Sequence, residues 1–132
     1  MVKRWKIVEN GMCVFCYDVK ENNEHLILRC KNVSQIWDTV QKCLNFDVSW
    51  KTVVIGFYFE KNEKTLFLNS LISLIACKIY KYKMYCRIEN KEEKPQEMCK
   101  HIKYVLTFFS EVYKSLSQRS FAILLKRIRS SL

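Results

Sequence analysis

Cys13-Val14-Phe15-Cys16-Tyr17-Asp18-Val19-Lys20-Glu21-Asn22-Asn23-Glu24-His25-Leu26-Ile27-Leu28-Arg29-Cys30 organises the chain, and in ligand terms it is Cys13-x2-Cys16-x8-His25-x4-Cys30. Three thiols and one imidazole within eighteen residues supply a set of four tetrahedral zinc ligands, the first two held by a tight C-x2-C turn. Ordinary buried thiols beside a surface histidine are the competing reading, and the finger-like spacing of both pairs argues against it. Four protein ligands fill the coordination shell and leave no position for a catalytic water. The expected cofactor is therefore structural Zn2+ held by Cys13, Cys16, His25 and Cys30. Structural zinc in small finger peptides contributes ~10–16 kcal/mol at neutral pH, comparable to the stability of a whole domain.

Downstream of Cys30, Asn32 followed by Gln35 resembles a capping box, which predicts a helix beginning near Val33. Its apolar positions, Val33, Ile36, Trp37, Val40 and Leu44, fall on one helical face, with Trp37 as the anchor that packs the zinc segment onto the rest. Thr52 to Phe59 is β-branched and aromatic and reads as one short extended segment, a buried helical turn being the alternative for such a run. From about Thr65 to Glu89 runs the longest helix, with Leu68, Leu71, Ile72, Ile75, Ile79, Tyr82 and Cys86 on one face. A second stripe, Phe67, Leu74, Lys78, Lys81 and Tyr85, starts apolar and becomes basic and aromatic. Pro95 suits the first turn of the next helix, whose apolar positions run from Met98 to Leu116 with Lys100, Lys103 and Lys114 opposite. A last short helix carries Phe121, Leu124, Leu125, Ile128 and Leu132. The expected architecture is a single, mainly α domain over 1–132, with a zinc-binding segment over 11–44 and a helical region over 63–132, about four helices in all.

Composition agrees with that class. The chain has 132 residues, 49% hydrophobic and 14% aromatic, and only two glycines and one proline, which disfavours turn-rich sheets. Twenty-three Lys and Arg against thirteen Asp and Glu give a formal net charge of +10, an attraction to polyanions: nucleic acid first, anionic membrane surfaces second. A merely soluble, Lys-rich surface is the bland alternative. Seven cysteines and the charged opening Met1 to Lys6 point to a reducing, intracellular setting, in which Cys and His clusters bind metal. The apolar run Leu66 to Ile79 is too short to span a bilayer.

No catalytic constellation is visible: the sequence carries no Walker loop, H-E-x-x-H, G-x-S-x-G or deaminase pattern. His101 is the one imidazole outside the zinc set, and Cys99-x-His101 offers a weak second metal pair. The expectation is a protein that is not an enzyme. Cations beside tyrosines suit phosphate pairing and base stacking on a single strand. The proposed nucleic-acid contacts are Lys3, Arg4, Lys6, Lys20, Arg29 and Lys31 around the zinc segment, with Lys78, Lys81 and Tyr85 as a second patch.

The C-x2-C-x8-H-x4-C segment followed by Ile36-Trp37 resembles the zinc-binding segment at the C-terminal end of non-LTR (LINE-type) retrotransposon reverse transcriptases. Glu24-His25-Leu26, Val54-Ile55-Gly56-Phe57 and Ile79-Tyr80-Lys81-Tyr82-Lys83 extend the likeness over about residues 5 to 120. The retroviral knuckle, C-x2-C-x4-H-x4-C, is dissimilar, its middle spacing being four residues shorter. Endonuclease and polymerase palm motifs are absent, so the resemblance implies at most a non-catalytic tail that binds RNA or single-stranded DNA. The alternative is a retroelement relic acting as a structural or protein-interaction module, with the stripe Leu124, Leu125, Ile128 and Leu132 docking a protein partner. A basic helix over 119–132 lying on a membrane is the weakest of the readings.

Overall fold

Twenty-six residues, Glu63–Ile88, form the longest helix among the described residues, buried along one side. In the computed structural model, which describes residues 22–56, 63–116 and 118–132, the order is a π-helical turn (His25–Arg29), α1 (Lys31–Leu44), α2 (Trp50–Ile55), α3 (Glu63–Ile88), α4 (Pro95–Ser115) and α5 (Arg119–Ser131). No strand occurs among the described residues, and the mainly α class stands. Cys13, Cys16 and the rest of 1–21, and residues 57–62 of the predicted extended segment and polar connector, lie outside the described residues.

Periodicity locates α1, α3, α4 and α5 closely. Val33, Ile36, Trp37, Val40 and Leu44 of α1 are all buried, as are Leu68, Leu71, Ile72, Ile75, Ile79, Tyr82 and Cys86 of α3. They join Met98, Ile102, Leu106, Leu125 and Ile128 in one core. Phe67 of α3 stacks on Phe121 of α5, with centroids 4.3 Å apart, and meets Tyr113 of α4 edge-on at 5.2 Å, an aromatic knot across three helices. Arg127 of α5 donates to the Cys43 carbonyl near the C-terminal end of α1, where a cation also suits the helix dipole. The α5 stripe is spent within the fold: Leu125 and Ile128 are buried, and Leu124 and Leu132 pack against the core.

Two local readings are corrected. The described part of the predicted extended segment near 52–59 belongs to α2, a helix begun by Ser49, whose Oγ accepts the Thr52 N–H at 3.2 Å. A helix satisfies its own backbone where no neighbouring strand exists to pair with. Gly56 ends it at φ +95°, where an added Cβ would lie 3.0 Å from Asn69 Oδ1. The second correction concerns α1, which starts at Lys31 with Cys30 at its N-cap and no side-chain cap, so Asn32 caps nothing.

Asn32 instead helps hold a buried charge. Lys83 is 0% exposed inside α3, and its Nζ lies 3.5 Å from Oε1 of Glu93, which is 3% exposed on the α3–α4 connector. Burial raises the Glu93 carboxyl above its ordinary value, against the opposing pull of Lys83 and of a hydrogen bond from Asn32. Beside it, the Tyr82 hydroxyl receives the Lys94 N–H at 2.9 Å and lies 3.2 Å from Glu97 Oε2, which clamps the connector to α3.

Lys83→Met should destabilise the fold by about 3 kcal/mol or more at neutral pH, because the Glu93 carboxylate stays buried without its countercharge, while Lys83→Met with Glu93→Leu should recover most of the loss. A raised native pKa means that stability is present when Glu93 is protonated and lost as pH rises through that pKa. The deficit of Lys83→Met should therefore shrink on acidification toward the ordinary carboxylate range, as read by urea unfolding at several pH values.

Candidate nucleic-acid interface and metal ligands

A six-residue connector returns the chain antiparallel to α3, so that Phe67 meets Tyr113 at one end of the helix pair and Tyr82 meets His101, at 5.9 Å, toward the other. At the Tyr82–His101 end, extending toward the connector, the two helices leave a groove of about 570 Å³. Lys78, Lys81, Tyr82 and Tyr85 of α3 form one wall, and Glu97, Lys100 and His101 of α4 form the other. All three residues of the predicted second patch, Lys78, Lys81 and Tyr85, are thus in one site.

The groove is cationic with aromatic flanks. Lys81, Lys100 and His101 are exposed, and Lys78 is half-buried. The Lys91 ammonium donates to the Tyr85 hydroxyl at 2.7 Å and sits 5.2 Å from the centre of its ring. That hydrogen bond raises the Lys91 pKa and keeps a further cation beside the groove mouth. Burial pushes the Tyr82 phenol well above its ordinary range, so it stays protonated as a donor toward Glu97. At the Phe67–Tyr113 end of the α3–α4 seam lies a second cavity of about 280 Å³ lined by Phe67, Leu71, Leu74, Phe109, Tyr113 and Leu125 among others, with no charged residue in its lining.

Lys100 and His101 were not among the predicted contacts. Lys100 does lie on the polar face opposite the α4 core stripe, and the short connector after α3 implies an antiparallel neighbour. What the sequence lacks is the rotation of α4 that turns this face toward Lys78 and Lys81. Of the first patch, Lys3, Arg4, Lys6 and Lys20 lie outside the described residues. Arg29 is engaged with Glu24 at 3.1 Å, and Lys31 is exposed at the start of α1; neither lines the groove.

At the other end of the chain, His25 and Cys30 are buried at 8% and 0% exposure. The Cys30 N–H donates to the His25 carbonyl at 2.7 Å, an i to i+5 closure that brackets one π turn. This widened turn narrows the angle between residues five apart, the spacing of the H-x4-C pair, which an α-helical turn would rotate roughly 140° from each other. The donor types, an imidazole and a thiol, fit zinc. Trp37 bolts the turn to α1, its indole N–H donating to the Ile27 carbonyl at 2.8 Å. Cys99 and His101 do not converge, since neighbours two apart on a helix lie roughly 200° apart. Burial raises the Cys99 thiol, and no metal-binding group of three or more is present among the described residues.

No family model, curated protein or solved structure matches this chain.

Trp37→Phe keeps the ring but leaves the Ile27 carbonyl without its donor. It should lower the unfolding free energy by about 1–2 kcal/mol, measured by denaturant titration.

Proposed function

We propose that this protein is a non-catalytic, zinc-stapled module that binds RNA or single-stranded DNA, derived from the C-terminal tail of a retrotransposon reverse transcriptase. One observation carries the binding reading: Lys78, Lys81 and Lys100 converge with Tyr85 and His101 in a single groove between α3 and α4. Cations so placed neutralise phosphates without reading sequence, and the net charge of +10 adds long-range attraction. The retroelement origin is supported by Cys13, Cys16, Glu24-His25-Leu26, Cys30 and Ile36-Trp37 in their order and spacing.

Zinc would be held by Cys13, Cys16, His25 and Cys30, and it would serve as a staple for the N-terminal segment. Support comes from the π turn that His25 and Cys30 bracket and from the burial of both residues. The retroelement-relic alternative loses its favouring feature, because the α5 stripe packs into the core of its own chain. No helix among the described residues is long and apolar enough to cross a membrane.

Binding to a labelled single strand should weaken steeply with salt. Lys78→Gln, Lys81→Gln and Lys100→Gln together should reduce the salt slope by about 2, as three phosphate contacts on a single strand imply. Affinity that stays flat from low to moderate salt contradicts the reading.

Purified protein should carry one zinc per chain by metal analysis, and Cys13→Ser and His25→Ala should each lose it and several kcal/mol of stability. A chain equally stable after chelation removes the staple.

A further inference from the structure

Two large side chains beside the groove face solvent. Tyr104 is 77% exposed and Phe108 is 60% exposed, one turn apart on α4. At 100° per residue they fall on the same α4 face as Lys100 and His101, which line the groove, and not on the Met98, Ile102 and Leu106 face that enters the core. Phe109 meets the Phe108 ring edge-on, with centroids 5.6 Å apart and planes at 89°, and so limits its orientation while leaving it exposed.

We infer that Tyr104 and Phe108 form a stacking platform for unpaired bases of a single-stranded nucleic acid whose phosphates occupy the groove at Lys78, Lys81 and Lys100. This deepens the nucleic-acid reading and rests on it. The adjoining cations name the occupant: an apolar partner would leave Lys100 and Lys81 facing nothing, whereas a polynucleotide carries an anionic backbone for the groove and π faces for the rings. Spacing favours a single strand. Residues four apart on a helix are separated by about 6 Å along the axis, roughly twice the ~3.4 Å step of stacked bases in one duplex strand. Rings so placed suit bases splayed apart, and a duplex hides its base faces from them.

The test uses the full chain with a labelled oligo-dT strand and a duplex of equal length. Tyr104→Ala and Phe108→Ala should each weaken single-strand binding about fivefold or more, and the pair further. The salt slope should stay at the wild-type value, because no phosphate contact is lost. Tyr104→Phe should bind as wild type, and the duplex should bind more weakly and ignore the aromatic variants. Circular dichroism should be unchanged, both side chains lying outside the core.

Wild-type single-strand affinity in Tyr104→Ala/Phe108→Ala, with the lysine variants still weakened, overturns the platform and leaves the groove reading intact. So does a wild-type dimer that the double variant dissociates in sedimentation, which would assign the rings to a contact between copies. Absence of any single-strand binding by the wild type removes both the platform and the reading beneath it.

Discussion

A lysine ammonium enclosed in a helical core constrains everything around it. Lys83 sits at 0% exposure on α3, and its countercharge comes from Glu93 on the connector, 3.5 Å away. Taking the two ions out of water costs several kcal/mol each, so the chain must bring Glu93 to one place. Tyr82, the preceding residue, fixes the connector a second time through the Lys94 N–H. Pro95 then begins α4 directly, with φ already set for a helix. Register and rotation of α4 are thereby determined within a few residues of Lys83, and it is this rotation that turns Lys100 and His101 toward Lys78 and Lys81. Apolar residues of similar volume often replace such a pair without loss, so its contribution here is best understood as alignment more than net stability.

The four longer helices were legible because each buries one continuous stripe at helical period, and the residues forecast for the α1 and α3 cores are buried without exception. Three features were not legible, each for a local reason. Thr52-Val53-Val54-Ile55 has the composition of a strand, but Ser49 at one end and Gly56 at the other supply helix boundaries that six residues can use. Asn32 has the spacing of a capping residue, and its side chain is drawn instead to the buried Glu93 carboxylate. Lys83 shares the helical phase of Ile72, Ile79 and Cys86, yet a lysine is ordinarily assigned to solvent unless a partner distant in sequence is known. The groove was half legible for the same reason: the α3 wall follows from one helix's period, the α4 wall from packing.

The N-terminal end obeys a different local rule. Ligands on a helix usually come three or four residues apart, because those separations share a face. An H-x4-C pair, the ligand spacing proposed here, does not, and the π turn at His25–Arg29 lessens the mismatch by closing the Cys30 N–H onto the His25 carbonyl. A π turn is less favourable than an α turn and persists where surrounding contacts hold it. Here they are the Trp37 indole on the Ile27 carbonyl, the Asn22 side chain on the His25 N–H at 2.7 Å, and the burial of Leu26 and Leu28. Trp37 links the turn to α1, and Asn32 links α1 to the Lys83–Glu93 pair, so the two ends of the proposed module are mechanically joined through one helix.

A carboxylate in the cationic groove bears on what the groove could hold. Glu97 lines the same space as Lys78, Lys81 and Lys100, and a phosphate placed beside it would be repelled. The Tyr82 hydroxyl, kept protonated by burial, donates to Glu97 Oε2 at 3.2 Å and so engages one oxygen of that carboxylate. The lysines stand on both walls, with Lys81 and Lys100 exposed. Charge along the groove is thus mixed, with Glu97 exposed like Lys81 and Lys100 but engaged by the Tyr82 hydroxyl. A flexible strand of the kind proposed would pass that single carboxylate by bending between lysines, with its bases turned outward along α4. A rigid duplex would have to present a phosphate ridge matched to a cleft only two helices wide, so for the proposed site a single strand is the better fit on shape.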